Sequence, residues 1–170
     1  GLTNVPEIIS EIRNNNNFKI IRLKYHYFSD TQSFIENVYK CDTVPWEHLV
    51  AKSRYLLSSP QRCLVVLVKN LNPAEKIVGG GAFRHVQCQR ITDLKIKVRS
   101  KYNPNFKDLD MHVAPLPKGV SHEHVIHGTD YESQTEYLLN YFGLNCTDYY
   151  KRYDNIEYLV PWHLNIGSLK

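Results

Sequence analysis

The chain has 170 residues, 42% of them apolar and 22% charged, with a formal net charge of +4. That length suits one ordinary domain, and the apolar share excludes intrinsic disorder. No apolar run approaches the roughly 18 residues of a membrane-spanning helix, and the small basic excess permits a phosphate-bearing partner without demanding one.

Val5 to Arg13 reads as a short helix with Ile8, Ile9 and Ile12 on one side, broken by the polar run Asn14 to Asn17. Phe18 to Phe28 alternates. Ile21, Leu23, Tyr25 and Tyr27 form an apolar face, and Arg22, Lys24 and His26 a cationic one, as in a half-exposed strand. Ser29 or Asp30 caps a helix from Thr31 to Lys40. Pro45 suits the first turn of a second helix, Trp46 to Leu57, which Ser58-Ser59-Pro60 stops. Cys63 to Val68 is a short, β-branched apolar run, the pattern of a central strand covered on both faces. Lys76 to Val78 is a further short strand running into Gly79-Gly80-Gly81, and Ala82 to Gln89 is expected to be helical. Leu94 to Arg99 alternates again and reads as a second two-faced strand. Leu109 to Val113 and Glu123 to Ile126 are candidate strands. Thr129 and Glu132 have the spacing of a capping box for a helix ending at Phe142, with Gly143 as its stop. Ile156 to Val160 is a last strand.

No repeat or linker divides residues 1–170, so a single domain is expected. The expected class is α/β in the broad sense, an α+β domain built on a mixed sheet with helices mainly on one face. Cys41, Cys63, Cys88 and Cys146 are scattered without a Cys-x-x-Cys pair, which suits reduced, buried thiols. Gly1-Leu2-Thr3-Asn4 shows no signal-peptide pattern, and a cytoplasmic setting is expected.

Three constellations carry possible chemistry. The first is a glycine turn set between a strand and an expected helix. Glycine lets backbone N–H groups approach an anion, and a helix N-terminus adds partial positive charge. Gly80, Gly81 and Arg84 are the candidate phosphate-binding residues.

The second is a histidine cluster. His112, His122, His124 and His127 fall within sixteen residues and make up half of all the histidines. His127 precedes a helix start with Thr129 and Asp130, so these three are the candidates for proton transfer or phosphate contact. His122 and His124 share one face of a strand, and with His127 they form an alternative divalent-metal site.

The third is a cationic face. Arg22, Lys24, Lys95, Lys97 and Arg99 would share one sheet surface if both alternating segments are strands of one sheet. Such a surface suits nucleic acid.

The segment Trp46 to Arg99, with Gly80-Gly81-Ala82-Phe83-Arg84 at its turn, resembles the ParB and sulfiredoxin superfamily, whose members carry a Gly-Gly-x-x-Arg phosphate-binding turn. The resemblance implies a nucleotide or phosphate site at Gly80, Gly81 and Arg84. Ala82 and Phe83 stand where sulfiredoxins have Cys and His, so sulfinic acid reduction is not implied. Val125-Ile126-His127-Gly128-Thr129-Asp130 is also similar, over these residues alone, to the segment around the phospho-accepting histidine of nucleoside diphosphate kinases.

The function expected is binding of a nucleotide or other phosphorylated ligand, with phosphoryl transfer or phosphoester hydrolysis as the reaction class. The alternatives are a non-catalytic nucleic-acid-binding module and a histidine-based, metal-dependent hydrolase or nuclease. The leading expectation needs the glycine turn and the His127 turn to open onto one positively charged cavity.

Overall fold

The computed structural model describes residues 5–41, 46–56, 61–102, 126–129, 132–144 and 156–161. In chain order these form α1 (Val5–Arg13), β1 (Phe18–Tyr27), α2 (Thr31–Val38), α3 (Trp46–Leu56), β2 (Arg62–Asn70), β3 (Glu75–Val78), a single 3-10 turn (Gly81–Phe83), β4 (His85–Cys88), α4 (Gln89–Tyr102), β5 (Ile126–Gly128), α5 (Glu132–Tyr141) and β6 (Ile156–Pro161). The fold is of the α+β class. One sheet has the order β1-β2-β6-β5, and a second pairs β3 with β4.

β2 organises the larger sheet. Its Leu64, Val66 and Val68 point to one face and meet Ile8 and Ile12 of α1 and Ile91, Leu94 and Val98 of α4. Its Cys63, Val65 and Leu67 point to the other and meet Phe34, Ile35 and Val38 of α2 and Leu138, Leu139 and Phe142 near α5. Two expectations are corrected here. Helices cover both faces, because a strand apolar on both sides has to be buried on both sides. Among the described strands every pairing is antiparallel, where a mixed sheet is expected.

Local signals explain several elements. Val5, Ile8, Ile9 and Ile12 are all buried, the spacing of one helix face. The Asp30 carboxylate accepts a hydrogen bond from Ser33 N at 3.0 Å and caps α2. α5 ends in a Schellman motif. Leu144 N donates to Leu139 O at 2.8 Å, and Gly143 N to Asn140 O at 3.1 Å. Gly143 takes φ +74°, a conformation glycine adopts without steric cost.

Three segments depart from their expected form. Residues 94–99 lie inside helix α4, not in a strand. Ile91, Leu94 and Val98 are buried, and their spacing of three and four is helical. The alternation of Leu94, Ile96 and Val98 imitates a strand only within that short window. The expected helix Ala82 to Gln89 is a 3-10 turn followed by β4. Gly79 and Gly81 both have positive φ and reverse the chain. His85 to Cys88 then pairs back on β3, with Val78 opposite His85 and Glu75 opposite Cys88.

The faces of β1 are the third departure. Its register shifts between Ile20 and Arg22, so a β-bulge changes the alternation. Directly opposed residues point to the same face. Leu23, Tyr25 and Tyr27 are therefore on the α1/α4 side, opposite Val66, Leu64 and Arg62, while Arg22, Lys24 and His26 are on the α2/α5 side, opposite Leu67, Val65 and Cys63. Leu23, Tyr25 and Tyr27 are 44%, 46% and 65% exposed. The apolar stripe of β1 faces outward, and its cationic stripe packs toward helices.

Candidate functional site

β5 is a three-residue edge strand, buried along its whole length. His127 sits opposite Val160 of β6. Its ring lies against Tyr39, with centroids 4.6 Å apart. Only 7% of His127 is exposed, and Thr129, which follows the strand, is fully buried. The Thr129 hydroxyl accepts a hydrogen bond from the Thr135 hydroxyl at 2.9 Å. Gln134 and Thr135 are buried in the first turns of α5. An imidazole and a bonded pair of hydroxyls thus lie where β5 gives way to α5.

α4 holds the backbone of β5 from the other face of the sheet, since Ile126 packs with α4 while the His127 ring packs on Tyr39. Lys95 Nζ lies 3.5 Å from Gly128 O. Arg99 donates from Nη2 at 2.8 Å and from Nε at 3.2 Å to Ile126 O. The two cations are one helical turn apart on one side of α4, and they hold the carbonyls on either side of His127. Charge-assisted hydrogen bonds of this kind fix backbone position more firmly than neutral ones.

The other α4 cations go elsewhere. Lys97 Nζ lies 3.2 Å from the Glu11 carboxylate, and Lys101 bonds to the same carboxylate. The hydrogen bond from Lys101, followed by Lys97, holds the Glu11 carboxyl below the usual range against the opposing effect of burial. Lys24 donates to Phe142 O beside the end of α5. The expected nucleic-acid face of Arg22, Lys24, Lys95, Lys97 and Arg99 is therefore not assembled. Its second strand is a helix, and β1 lies at the opposite edge of the sheet from β5, about 14 Å away at three strand spacings.

The glycine turn belongs to the other sheet. Gly80 and Gly81 are exposed, with open space where a Cβ would stand. Arg84 is exposed as well and follows the 3-10 turn. No α-helix begins at these glycines, so the helix-terminal charge expected for a phosphate cradle is missing from this turn. His122, His124 and Asp130 lie outside the described residues. Among the described residues no group of three or more His, Cys, Asp or Glu is arranged to hold a metal ion.

Tyr39 and Thr135 complete the His127 site without any sequence signal strong enough to select them. His26 was expected on a cationic surface. It packs instead among aromatic rings, with centroids 5.0 Å from Phe142, 5.3 Å from Tyr141 and 5.8 Å from Phe34. Burial, and secondarily the Lys24 charge, lowers its pKa from the usual histidine value.

No protein-family model, curated protein or solved structure matches this chain.

Proposed function

We propose that the chain binds a nucleotide or another phosphorylated small ligand at the β5–α5 turn, with His127 and Thr129 as its contacts. One observation carries this reading: the Thr129 hydroxyl, two residues after His127, is bonded to the Thr135 hydroxyl in the first turns of α5. An imidazole and a hydroxyl flank the end of β5 just before a helix of ten residues, and Lys95 bonds to the backbone between them from the other face of the sheet. Anions are favoured at such an end because its first N–H groups point outward and carry partial positive charge. The imidazole can also donate a hydrogen bond to a phosphate oxygen and carry its proton. That is what phosphoryl transfer or phosphoester hydrolysis would need.

The test is a thermal-shift series with inorganic phosphate, pyrophosphate, nucleoside mono-, di- and triphosphates and sugar phosphates. A ligand at about 100 times its Kd stabilises by about 2.7 kcal/mol. For a chain of this size that raises Tm by about 5–11 °C. His127→Gln should abolish most of the rise. A Tm unmoved by every phosphorylated compound defeats the proposal.

A further inference from the structure

We infer that the C-terminal end of α5 is a pH-sensitive latch, closed onto β1 while His26 is neutral and released when that imidazole takes up a proton. This stands apart from the phosphate reading. α5 crosses the sheet. Near its start the Thr135 hydroxyl donates to Thr129, just after β5, and past its end Phe142 O accepts from Lys24 of β1. These two strands stand at the two ends of the order β1-β2-β6-β5, about 14 Å apart. Ten helical residues span about 15 Å. The helix is just long enough, so its last turn is held at β1.

Two neighbouring side chains of β1 do the holding. Lys24 caps the helix end through Phe142 O. His26, two residues on and therefore on the same face, packs its ring among four others. Its centroid lies 5.0 Å from Phe142, 5.3 Å from Tyr141, 5.8 Å from Phe34 and 6.5 Å from Phe28. Phe34 and Phe142 are buried, so the ring meets a dry surface. A charged imidazole there loses part of its water and stands beside the Lys24 ammonium. Aromatic faces attract an imidazolium, but burial, and then Lys24, outweigh that and hold the His26 pKa below the usual histidine value.

The other titratable groups around this contact do not offset the proton. Cys63 of β2 lies opposite His26, and burial pushes its thiol well up. Tyr141 of α5 is raised as well, chiefly by burial, so both stay neutral where His26 titrates. The Tyr137 hydroxyl donates to Asn37 of α2 at 2.7 Å. Glu36 of α2 and its cap Asp30 bond to Gln32 and to Ser33 N on the exposed side of that helix. A proton on His26 therefore adds a second positive charge to a contact that already holds Lys24. Opening rehydrates the ring and returns it to an ordinary pKa of about 6.5, while the closed state keeps the lower value. Opening is thus favoured as pH falls below about 6.5, by up to tenfold per pH unit until the depressed value is reached.

Amide exchange read by NMR on the full chain tests this. Phe142, Gly143 and Leu144 donate the N–H groups that close the end of α5. Corrected for the intrinsic pH dependence of exchange, their protection should fall by up to tenfold per pH unit below about pH 6.5. Asn14, whose N–H closes the end of α1, is the control and should not respond. His26→Phe keeps an aromatic ring and removes the titration, so protection should become independent of pH. Lys24→Met should lower protection at every pH and shrink its pH dependence, since part of the repulsion is gone. Protection at Phe142 to Leu144 as high as at Val66 of β2 below about pH 6 would overturn the inference, because the end would then open only with the whole fold. So would an equal fall at Asn14, or a fall that survives in His26→Phe, since either assigns the response to another group. A His26 ring resonance in the parent chain that titrates at or above about pH 6.5 would overturn it without recourse to any variant.

Discussion

Replacing glycines one at a time by alanine separates backbone strain from crowding. Gly80 has φ −146° and open space at its Cβ position. Alanine fits there, and it narrows the unfolded ensemble, so Gly80→Ala should be neutral or stabilise by about 0.4–1 kcal/mol. Gly81 has φ +58° and equally open space. Its cost is strain alone, about 1–2 kcal/mol for a left-handed residue with a Cβ. Gly143 has φ +74°, and a Cβ there would stand 3.2 Å from Lys24 Nζ. The lysine can withdraw, but it then loses its bond to Phe142 O, which adds about 0.5–1.5 kcal/mol. The expected order of Tm is therefore Gly80→Ala at or above the parent, Gly81→Ala below it, and Gly143→Ala lowest. Summing the two costs gives about 1.5–3.5 kcal/mol for Gly143→Ala, a fall of about 3–14 °C by scanning calorimetry at 2–4 °C per kcal/mol. In a Lys24→Ala background the Gly143 penalty should shrink toward that of Gly81, because the two changes share one contact. Equal losses at Gly80 and Gly143 would refute the strain argument. The same series bears on ligand binding: if Gly80 cradled a phosphate, Gly80→Ala would remove a ligand-induced Tm rise while leaving the fold intact.

Other outcomes follow from individual contacts. The lowered pKa of His26 means that below about pH 6.5 the unfolded chain takes up a proton the native state resists. Its contribution is therefore present above that pH and lost as pH falls through the depressed native value. Urea midpoints against pH should show this loss, and His26→Phe should flatten it; an unchanged profile counts against a buried neutral imidazole. Tyr141, whose pKa is raised chiefly by burial, acts at the other end, and its contribution is lost as pH rises above about 10. Asp30→Ala removes the α2 cap and should cost about 0.5–2 kcal/mol in chemical denaturation; no loss would show the cap to be redundant. Leu94→Ala should cost about 2–5 kcal/mol, since Leu94 is 1% exposed and a cavity would remain. If residues 94–99 formed a strand with Leu94 on a half-exposed face, the loss would be far smaller. Arg99→Met keeps the side-chain length and removes both bonds to Ile126 O. It should loosen β5 and raise amide exchange at Gly128 more than at Val66.

What could be read from the sequence was what neighbouring residues decide. The apolar stripe of α1, the Asp30 cap and the Gly143 stop each depend on side chains within a turn or two, and each formed as expected. His127 and Thr129 were recognisable for the same reason, as an apolar step into a small polar turn before a helix. The rest depended on distant partners. His85 to Cys88 is a strand because β3 is there to pair with it, and isolated helical turns of that length are unstable. A one-residue bulge in β1 put Arg22, Lys24 and His26 on the α2/α5 side, an event no hydropathy pattern records. Lys95 and Arg99 bond to β5 carbonyls 33 and 27 residues away, so no local motif could couple them.

α4 shows why the cationic residues of this chain resist being read as one surface. A strand has two faces, so alternating lysines would have shared one. A helix distributes the same residues around about 100° steps. Leu94 and Val98 enter the core, Lys95 and Arg99 turn to β5, and Lys97 and Lys101 turn to Glu11 of α1. The eight-residue run from Leu94 to Lys101 therefore fastens three elements together, and its positive charge is divided between two of them. Two consequences follow for function. Lys95 and Arg99 hold β5 in place from the face opposite the His127 ring, so neutralising either should loosen the strand and weaken anion binding through it. Lys97 is the control: its partner lies on α1, so Lys97→Ala should lower stability slightly while leaving any ligand-induced Tm rise intact. Equal loss of that rise in Lys95→Ala and Lys97→Ala would mean that only net charge matters, and that the directed arrangement at Gly128 contributes nothing to binding.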